Sequence, residues 1–330
     1  MQEVIREKLI ARAKELLSSG TVTRVLAWKR GEFCYDLTPG LFQSAEELDK
    51  DFDFGDFAAP NLSKYLIAET RKEDGKIAVF MKPCDTYSFN QLLTEHRIDR
   101  EKVYVIGIPC DGMLDTKKIA ASADSIKNVT VDSENVNIET LWDGTVTVSR
   151  ESLLDERCIT CKSKKHVAYD ELIGEDGEVT ESNRFDEVAR IEAMTPEERF
   201  EFWQNELSRC IRCNACRNVC PACTCEKCVF DNPNSGVESK APSDSFEEKM
   251  FHIIRAFHVT GRCTDCGECS RVCPQNIPLH LLNRKFIKDI NELWGDYQAG
   301  AEVGSRAPLV NYTLDDMEPG EAVERGDKNA

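Results

Sequence analysis

Two cysteine runs in the second half of the chain share one spacing. Cys210–Pro221 and Cys263–Pro274 each read Cys-x-x-Cys-x-x-Cys-x-x-x-Cys-Pro. Three thiolates at this spacing bind one 4Fe–4S cluster, and the fourth cysteine of the run binds the other cluster. Zinc sites use pairs of Cys-x-x-Cys rather than such triplets. The first predicted cluster therefore takes Cys210, Cys213, Cys216 and Cys273, and the second takes Cys263, Cys266, Cys269 and Cys220.

An apolar stretch that ends in Pro-Cys-Asp occurs twice in the first half of the chain. Cys84 follows IAVFMKP, and Cys110 follows VYVIGIP 26 residues later. Binding sites of open α/β sheets form beyond the carboxyl ends of the strands, so neighbouring strands would bring both cysteines into one crevice. With Cys158 and Cys161 they make four thiolates, enough for a third cubane. Alternatively, Cys84 and Cys110 are small buried residues, and Cys158 and Cys161 form a redox pair or half a zinc site.

Four further cysteines are left over. Cys223, Cys225 and Cys228 follow directly after Cys220, which the spacing assigns to the second cluster. Together with Cys34 they would suffice for a fourth cluster or a zinc ion. The alternative is that some of them are packing residues or neighbours that tune the cluster sulfurs.

The cysteines of the first half need a sheet to hold them. The segments TVTRVLAWK, KIAVFMK and KVYVIGI predict strands, and AEELDKD, NLSKYLIAETRKEDG and DTYSFNQLLTEHR predict helices between them. This alternation favours an α/β fold with a parallel or mixed sheet. Residues 128–150 predict a short meander with a hairpin turn at WDGT.

The second half predicts helices between its cysteine runs. The segment FEEKMFHIIRAFHVTGRC has helical spacing at Phe246, Met250, Ile253, Ile254 and Phe257. Residues 165–200 are charged and contain glycine, which favours a linker. We therefore predict an α/β domain over 1–185, a linker helix over 186–205, an all-α dicluster ferredoxin-like domain over 206–296 and an acidic C-terminal tail over 297–330.

The composition argues against several classes of protein. The chain has 330 residues and a net charge of −17, which repels phosphate backbones, so nucleic-acid binding is not expected. No stretch approaches the ~20 apolar residues of a membrane span. Charges interrupt the N-terminal MQEVIREKLIARAKELLSSG, which predicts an amphipathic helix rather than a signal peptide. Eleven of the sixteen cysteines fall between Cys210 and Cys273, which favours metal ligands in a reducing cytoplasm.

The cysteine runs and the segment between them resemble one family of iron–sulfur domains. The runs are separated by 42 residues, and FHVTGRC and NIPL flank the second run. These features are similar to the α-helical ferredoxin fold of succinate dehydrogenase iron–sulfur subunits and heterodisulfide reductase C subunits. The resemblance covers residues 200–296.

Residues 20–180 carry a second resemblance. The segments KPCDTYSFNQLL, GIPCDG and CITCKSKKHVAYDELIGE look like the beta-subunit family of coenzyme F-420-reducing hydrogenases and formate dehydrogenases. The resemblance implies a flavin-binding α/β domain with a 4Fe–4S cluster, in which FAD exchanges a hydride with a deazaflavin. The candidate residues for such a cofactor pocket are Lys82, Asp85, Thr86, Asp111 and Gly112.

The motifs together predict an iron–sulfur electron-transfer subunit of an anaerobic, cytoplasmic, multi-subunit oxidoreductase. The family resemblance points to formate dehydrogenase-, hydrogenase- or heterodisulfide reductase-like complexes, with catalytic and electron-accepting partner subunits and FAD or a deazaflavin as ligands. No residue is assigned to catalysis. The alternatives are a flavin-free polyferredoxin relay module and a redox sensor or assembly protein with a zinc site.

Overall fold

The computed structural model of the chain describes residues 2–72, 75–162, 164–178, 183–231 and 245–308. The strands are β1 (Arg24–Arg30), β2 (Leu37–Phe42), β3 (Ile77–Met81), β4 (Val103–Gly107), β5 (Ile126–Val131), β6 (Asn135–Thr140), β7 (Thr145–Ser149) and β8 (Glu171–Leu172). The α-helices are α1 (Gln2–Ser18), α2 (Ala45–Asp51), α3 (Leu66–Glu69), α4 (Pro83–Thr94), α5 (Thr116–Ser122), α6 (Glu156–Ile159), α7 (Asp186–Glu192), α8 (Pro196–Leu207), α9 (Ala215–Val219), α10 (Ser245–His258), α11 (Glu268–Arg271) and α12 (Leu279–Trp294). None of the helices in these ranges is both long and apolar enough to cross a membrane.

A mixed five-stranded sheet forms the core of the first half, in the order β2-β1-β3-β4-β8. β1, β3, β4 and β8 run parallel to one another, and β2 is antiparallel to β1. Every residue of β3 is buried, as expected for a strand covered on both faces. The predicted α/β fold with a mixed sheet is therefore confirmed.

The register of β3 and β4 explains the repeated Pro-Cys-Asp. Ile77 pairs with Val103 and Met81 pairs with Gly107, an offset that equals the spacing of the two cysteines. Cys84 and Cys110 therefore leave the same edge of the sheet, each three residues beyond a paired position. The two cysteines were expected to share a crevice if their strands are neighbours. β3 and β4 are neighbours in the sheet.

Two strands were not expected from the sequence. β2 contains Pro39 and Gly40, which weaken a strand pattern but are tolerated because β2 is an edge strand. β8 lies in the segment predicted as a linker, and it pairs with β4 at the opposite edge. Residues 165–178 are thus part of the α/β fold, and the linker prediction is wrong for them.

The helix predictions differ in quality. α1, α2 and α4 form where expected, whereas NLSKYLIAETRKEDG gives only the four-residue α3 after a short 3-10 helix. The Asn61 side chain accepts from the Ser63 backbone N–H and donates to the Ser88 hydroxyl, and this turn replaces the first helical turns. The meander is formed by β5, β6 and β7, and its hairpin turn includes WDG as predicted.

Helix α10 forms where predicted, but it does not bury the apolar stripe that predicted it. Met250, Ile253 and Phe257 are 37%, 38% and 60% exposed. The side chain of Phe246 lies outside the described residues. The buried face instead carries Phe251, His252, Arg255, Ala256 and Val259.

The start of the predicted tail packs on the α/β domain. The Gly304 backbone N–H donates to the Thr94 hydroxyl at the end of α4 at 2.9 Å. Gly300 has φ +76, and a Cβ there would overlap the Tyr87 carbonyl. Residues 309–330 of the predicted tail lie outside the described residues.

A pair of glycine substitutions tests this contact. Gly300→Ala should lower the thermal midpoint clearly more than Gly304→Ala, since both have positive φ but only Gly300 faces backbone atoms. Left-handed strain alone costs roughly 1–2 kcal/mol in either variant. Circular dichroism melting and limited proteolysis of both variants measure the difference. Equal effects would show that the tail is not held against α4.

Candidate metal centres

Four cysteines from three segments line one small pocket. Cys84 lies in the first turn of α4, Cys110 follows β4, and Cys158 and Cys161 lie in and just after α6. The Met113 backbone N–H donates to the Cys158 sulfur at 3.4 Å. Cys266 of the second ferredoxin-type run lines the same pocket. We call Cys84, Cys110, Cys158 and Cys161 the pocket set.

A buried ion pair supports the start of α4. Pro83 occupies the first position of the helix, and Asp85 accepts from the backbone N–H of Lys82. The Lys82 ammonium lies 2.9 Å from the Asp85 carboxylate, with both side chains buried. It also donates to the Pro60 carbonyl and lies over the ring of Trp28.

The five residues considered for a cofactor pocket do not converge. Lys82 and Gly112 line the pocket that the cysteines occupy. Asp85 pairs with Lys82, and the hydroxyl of Thr86 donates to the Pro83 carbonyl and accepts from the Val167 backbone. Asp111 is exposed, and Asp115 rather than Asp111 caps α5. The structure therefore brings only two of the five to the crevice.

His166 joins the two strand ends, a role that sequence reasoning missed. The Ile108 backbone nitrogen lies 3.2 Å from its Nε2, and its Nδ1 contacts the carboxylate of Asp176. Nε2 also lies 3.0 Å from the Met81 carbonyl. The imidazole thus fixes the ends of β3 and β4 from which the Pro-Cys turns depart. No sequence pattern marks a histidine for this role.

The two ferredoxin-type runs fold alike. Arg212 and Asn214 flank Cys213 with positive φ, and Asp265 and Gly267 do the same around Cys266. These left-handed residues turn each loop before α9 or α11. Gly267 lies against the side chain of Arg157. A Cβ there would lie 2.7 Å from the Arg157 Cβ, so its glycine accommodates this arginine.

The fourth cysteine of each run lies with the triplet of the other run. Burial raises the pKa of Cys216, and Cys210, Cys273 and Cys213 raise it further by their charge. Burial raises the pKa of Cys266 to about 12, with a further rise from Cys220 and Cys269. Cys273 of the second run is thus a neighbour of Cys210, Cys213 and Cys216, and Cys220 of the first run is a neighbour of Cys263, Cys266 and Cys269.

The chemistry of the cysteines fits iron–sulfur clusters. All sixteen lie in the described ranges, and none forms a disulfide. Burial raises the pKa of Cys110 to about 12, and Cys158 adds to the rise, so these thiols hold protons until a metal replaces them. Within the described ranges, no three metal-binding side chains converge on a single ion position. Each cysteine of a cubane binds a different iron atom, so its ligands need not share one position.

The leftover cysteines fall in two places. Cys223, Cys225 and Cys228 line a pocket with Lys64 and Arg255, and Cys223 contacts the sulfur of Cys220. Cys34 is exposed in the turn between β1 and β2 and does not line that pocket.

A charged junction connects the pocket set to the second run. Arg157, next to Cys158, pairs with Asp155 at 3.1 Å and with the buried Glu268 of α11. Its guanidinium also donates to the Cys266 carbonyl at 2.9 Å. Arg271 pairs with the same Glu268 at 2.7 Å. The α/β domain and the cysteine-rich helices are therefore held together beside the candidate clusters.

Comparison with known proteins gives one domain family and several relatives. Residues 206–277 match the 4Fe-4S dicluster domain family. The chain is 26% identical to the F420-dependent formate dehydrogenase subunit beta of Methanocaldococcus jannaschii, over 90% of this chain and 92% of the relative. It is 27% identical to the F420-dependent formate dehydrogenase 1 subunit beta of Methanococcus maripaludis, over 89% and 92%.

Two weaker similarities cover parts of the chain. The succinate dehydrogenase iron–sulfur subunit of Bacillus subtilis is 25% identical over 35% of this chain and 53% of its own length. A chain from the F420-reducing [NiFe] hydrogenase complex of Methanosarcina barkeri gives a TM-score of 0.37 at 16% identity. That match covers 49% of this chain and 62% of the other, and it is too weak to carry an argument.

Breaking the buried Lys82–Asp85 ion pair next to the pocket set should destabilise the fold. Asp85→Asn leaves the Lys82 ammonium buried without a carboxylate, which should lower the free energy of unfolding by about 3–5 kcal/mol. Glu139→Gln, which breaks the exposed Lys127–Glu139 pair, is the control and should cost about 0–1 kcal/mol. Urea unfolding under anaerobic conditions measures both. Equal effects would contradict the buried placement of Lys82.

Proposed function

We propose that this chain, a homologue of F420-dependent formate dehydrogenase beta subunits over about 90% of its length with a 4Fe-4S dicluster domain, is an electron-transfer subunit of a multi-subunit oxidoreductase. One observation carries the proposal: the three cysteine sets lie next to one another in a series. Cys266 of the second run lines the pocket of the first-half cysteines, and Cys269 is close enough to Cys216 for their charges to interact.

The ligand sets follow from these neighbours. We assign the first cluster to Cys210, Cys213, Cys216 and Cys273, the second to Cys263, Cys266, Cys269 and Cys220, and the third to the pocket set. When bound, such clusters accept and donate single electrons. The protein's own part is to hold the thiols at fixed positions, to bury four of the twelve and shield seven others in part, and to offset their charge.

The relay has a buried side and an exposed side. The pocket set lies within the α/β domain, the second set lies next to it, and Cys213 of the first set is exposed. Ile211, beside Cys213, is 60% exposed, and Met250, Ile253 and Phe257 leave an apolar surface on α10. These surfaces support the proposal that a partner subunit exchanges electrons with the first cluster.

The remaining expectations extend this proposal. The domain limits 1–185, 186–205, 206–296 and 297–330 are supported by β8, which belongs to the first sheet, and by α7, which begins at Asp186. The described residues of the dicluster region form helices and loops, which supports an all-α class. A cytoplasmic location agrees with the need to keep sixteen thiols reduced.

A flavin-free relay is the second candidate, and the site geometry favours it at one point. The family resemblance implies FAD as a ligand. Binding FAD requires polar groups that face a cavity. Asp85 and Thr86 instead satisfy the protein's own groups, and Lys82 faces the cysteines. Of the five residues first considered, a flavin in this pocket would meet only Lys82 and Gly112. Flavin released from the anaerobically purified chain on denaturation, quantified by fluorescence, decides between the two candidates.

Iron content tests the third cluster. The wild-type chain should hold about twelve iron atoms, and Cys84→Ser should lose about four of them, since a cubane contains four. Cys34→Ser, at an exposed turn, is the matched control and should keep all of them. Iron and zinc are counted by plasma mass spectrometry after anaerobic purification. Eight iron atoms plus zinc in the wild-type chain would instead favour the sensor or assembly protein.

A further inference from the structure

Helix α10 packs with a charged side inward. Arg255 and His252 are 4% and 2% exposed, while Ile253 and Phe257 of the same helix face outward. Burying a large apolar side chain stabilises a fold, and leaving one exposed forgoes that stabilisation. The hydrophobic effect of Phe251 and Ala256 on the same face does not explain why Arg255 is buried with them, so another interaction must stabilise its buried position.

Among the described residues, Arg255 has no carboxylate partner of the kind that a buried arginine normally has. Its Nη2 donates to the Cys216 carbonyl at 3.0 Å, and its Nε has no hydrogen-bond acceptor among the described residues. No described carboxylate forms an ion pair with it, although Arg157, Arg262 and Arg284 all have one. An uncompensated buried charge costs several kcal/mol.

The groups that would carry negative charge next to Arg255 when they bind iron are cysteines of both ferredoxin-type runs. The charges that act on it most strongly belong to Cys220 and Cys269 of the second set, Cys216 of the first set, and the adjacent Cys223. None of these four belongs to the pocket set. Thiolates that bind iron would thus supply the missing countercharge, and they would do so from two clusters at once.

We propose that Arg255 is a positioning residue that raises the reduction potentials of the first and second clusters together. This inference rests on the proposed function, because it requires both clusters. Each cluster gains one negative charge when it accepts an electron, and a nearby fixed positive charge favours that state. The guanidinium keeps its proton throughout, so no proton transfer accompanies the step.

Three variants of the full chain test the proposal. Arg255→Met keeps the length of the stem and removes the charge, so the first and second clusters should titrate at more negative potentials. Arg255→Lys keeps the charge and should shift them much less. Arg190→Met removes an exposed arginine on α7, paired with Glu187, and should leave all potentials unchanged. The readout is EPR-monitored redox titration of the anaerobically purified proteins, with iron counted in each sample.

The outcomes separate this inference from the proposed function. A negative shift in Arg255→Met that affects the dicluster signals and spares the third cluster supports the inference. Full iron content with unshifted potentials overturns it and leaves the proposed function standing. If Arg255→Met does not hold its clusters, the Arg255→Lys variant decides. Reduction potentials near those of the wild-type chain support a charge effect. Strongly more negative potentials, despite the retained positive charge, overturn it. A wild-type chain without cluster signals overturns both.

Discussion

The burial of many closely placed cysteine thiols is the constraint around which this chain is built. Twelve cysteines form three neighbouring sets, and burial raises the pKa of many of these thiols, to about 12 for Cys110, Cys266 and Cys269. Thiols in this state hold protons until iron takes their place. The chain as a whole is strongly acidic, yet cations such as Arg255 and Lys64 are placed beside the cysteines. The charge of the clusters thus determines which side chains the interior tolerates.

The sheet and the junction between the two halves serve the same geometry. β3 and β4 pair at an offset equal to the spacing of Cys84 and Cys110, and His166 fixes both strand ends. Arg157 then joins the pocket set to the second run through Glu268. The relay therefore depends on contacts between the domains as well as on the cysteine loops. If each half folded correctly but this junction were lost, the cysteine sets would still bind clusters. Electron transfer between the pocket set and the second set would then stop.

Sequence reasoning succeeded where short spacing fixes geometry. The Cys-x-x-Cys runs predicted which cysteines become neighbours, and the Pro-Cys turns after apolar strands predicted a common crevice. It failed where tertiary contacts decide. β2 is tolerated with proline only because it is an edge strand, and β8 is two residues long. Arg255 and His166 carry no pattern, and the apolar stripe of α10 pointed to the face that remains exposed.

The central claim is that the three cysteine sets hold clusters close enough to exchange electrons, and the EPR spectrum of the fully reduced chain tests it most directly. Adjacent reduced 4Fe–4S clusters interact magnetically, so the spectrum should be broad and fast-relaxing, with features that single clusters lack. The signals should simplify when a ligand of the second, central set is removed. A spectrum of isolated, non-interacting clusters, or no iron–sulfur signal after reduction, would contradict the account.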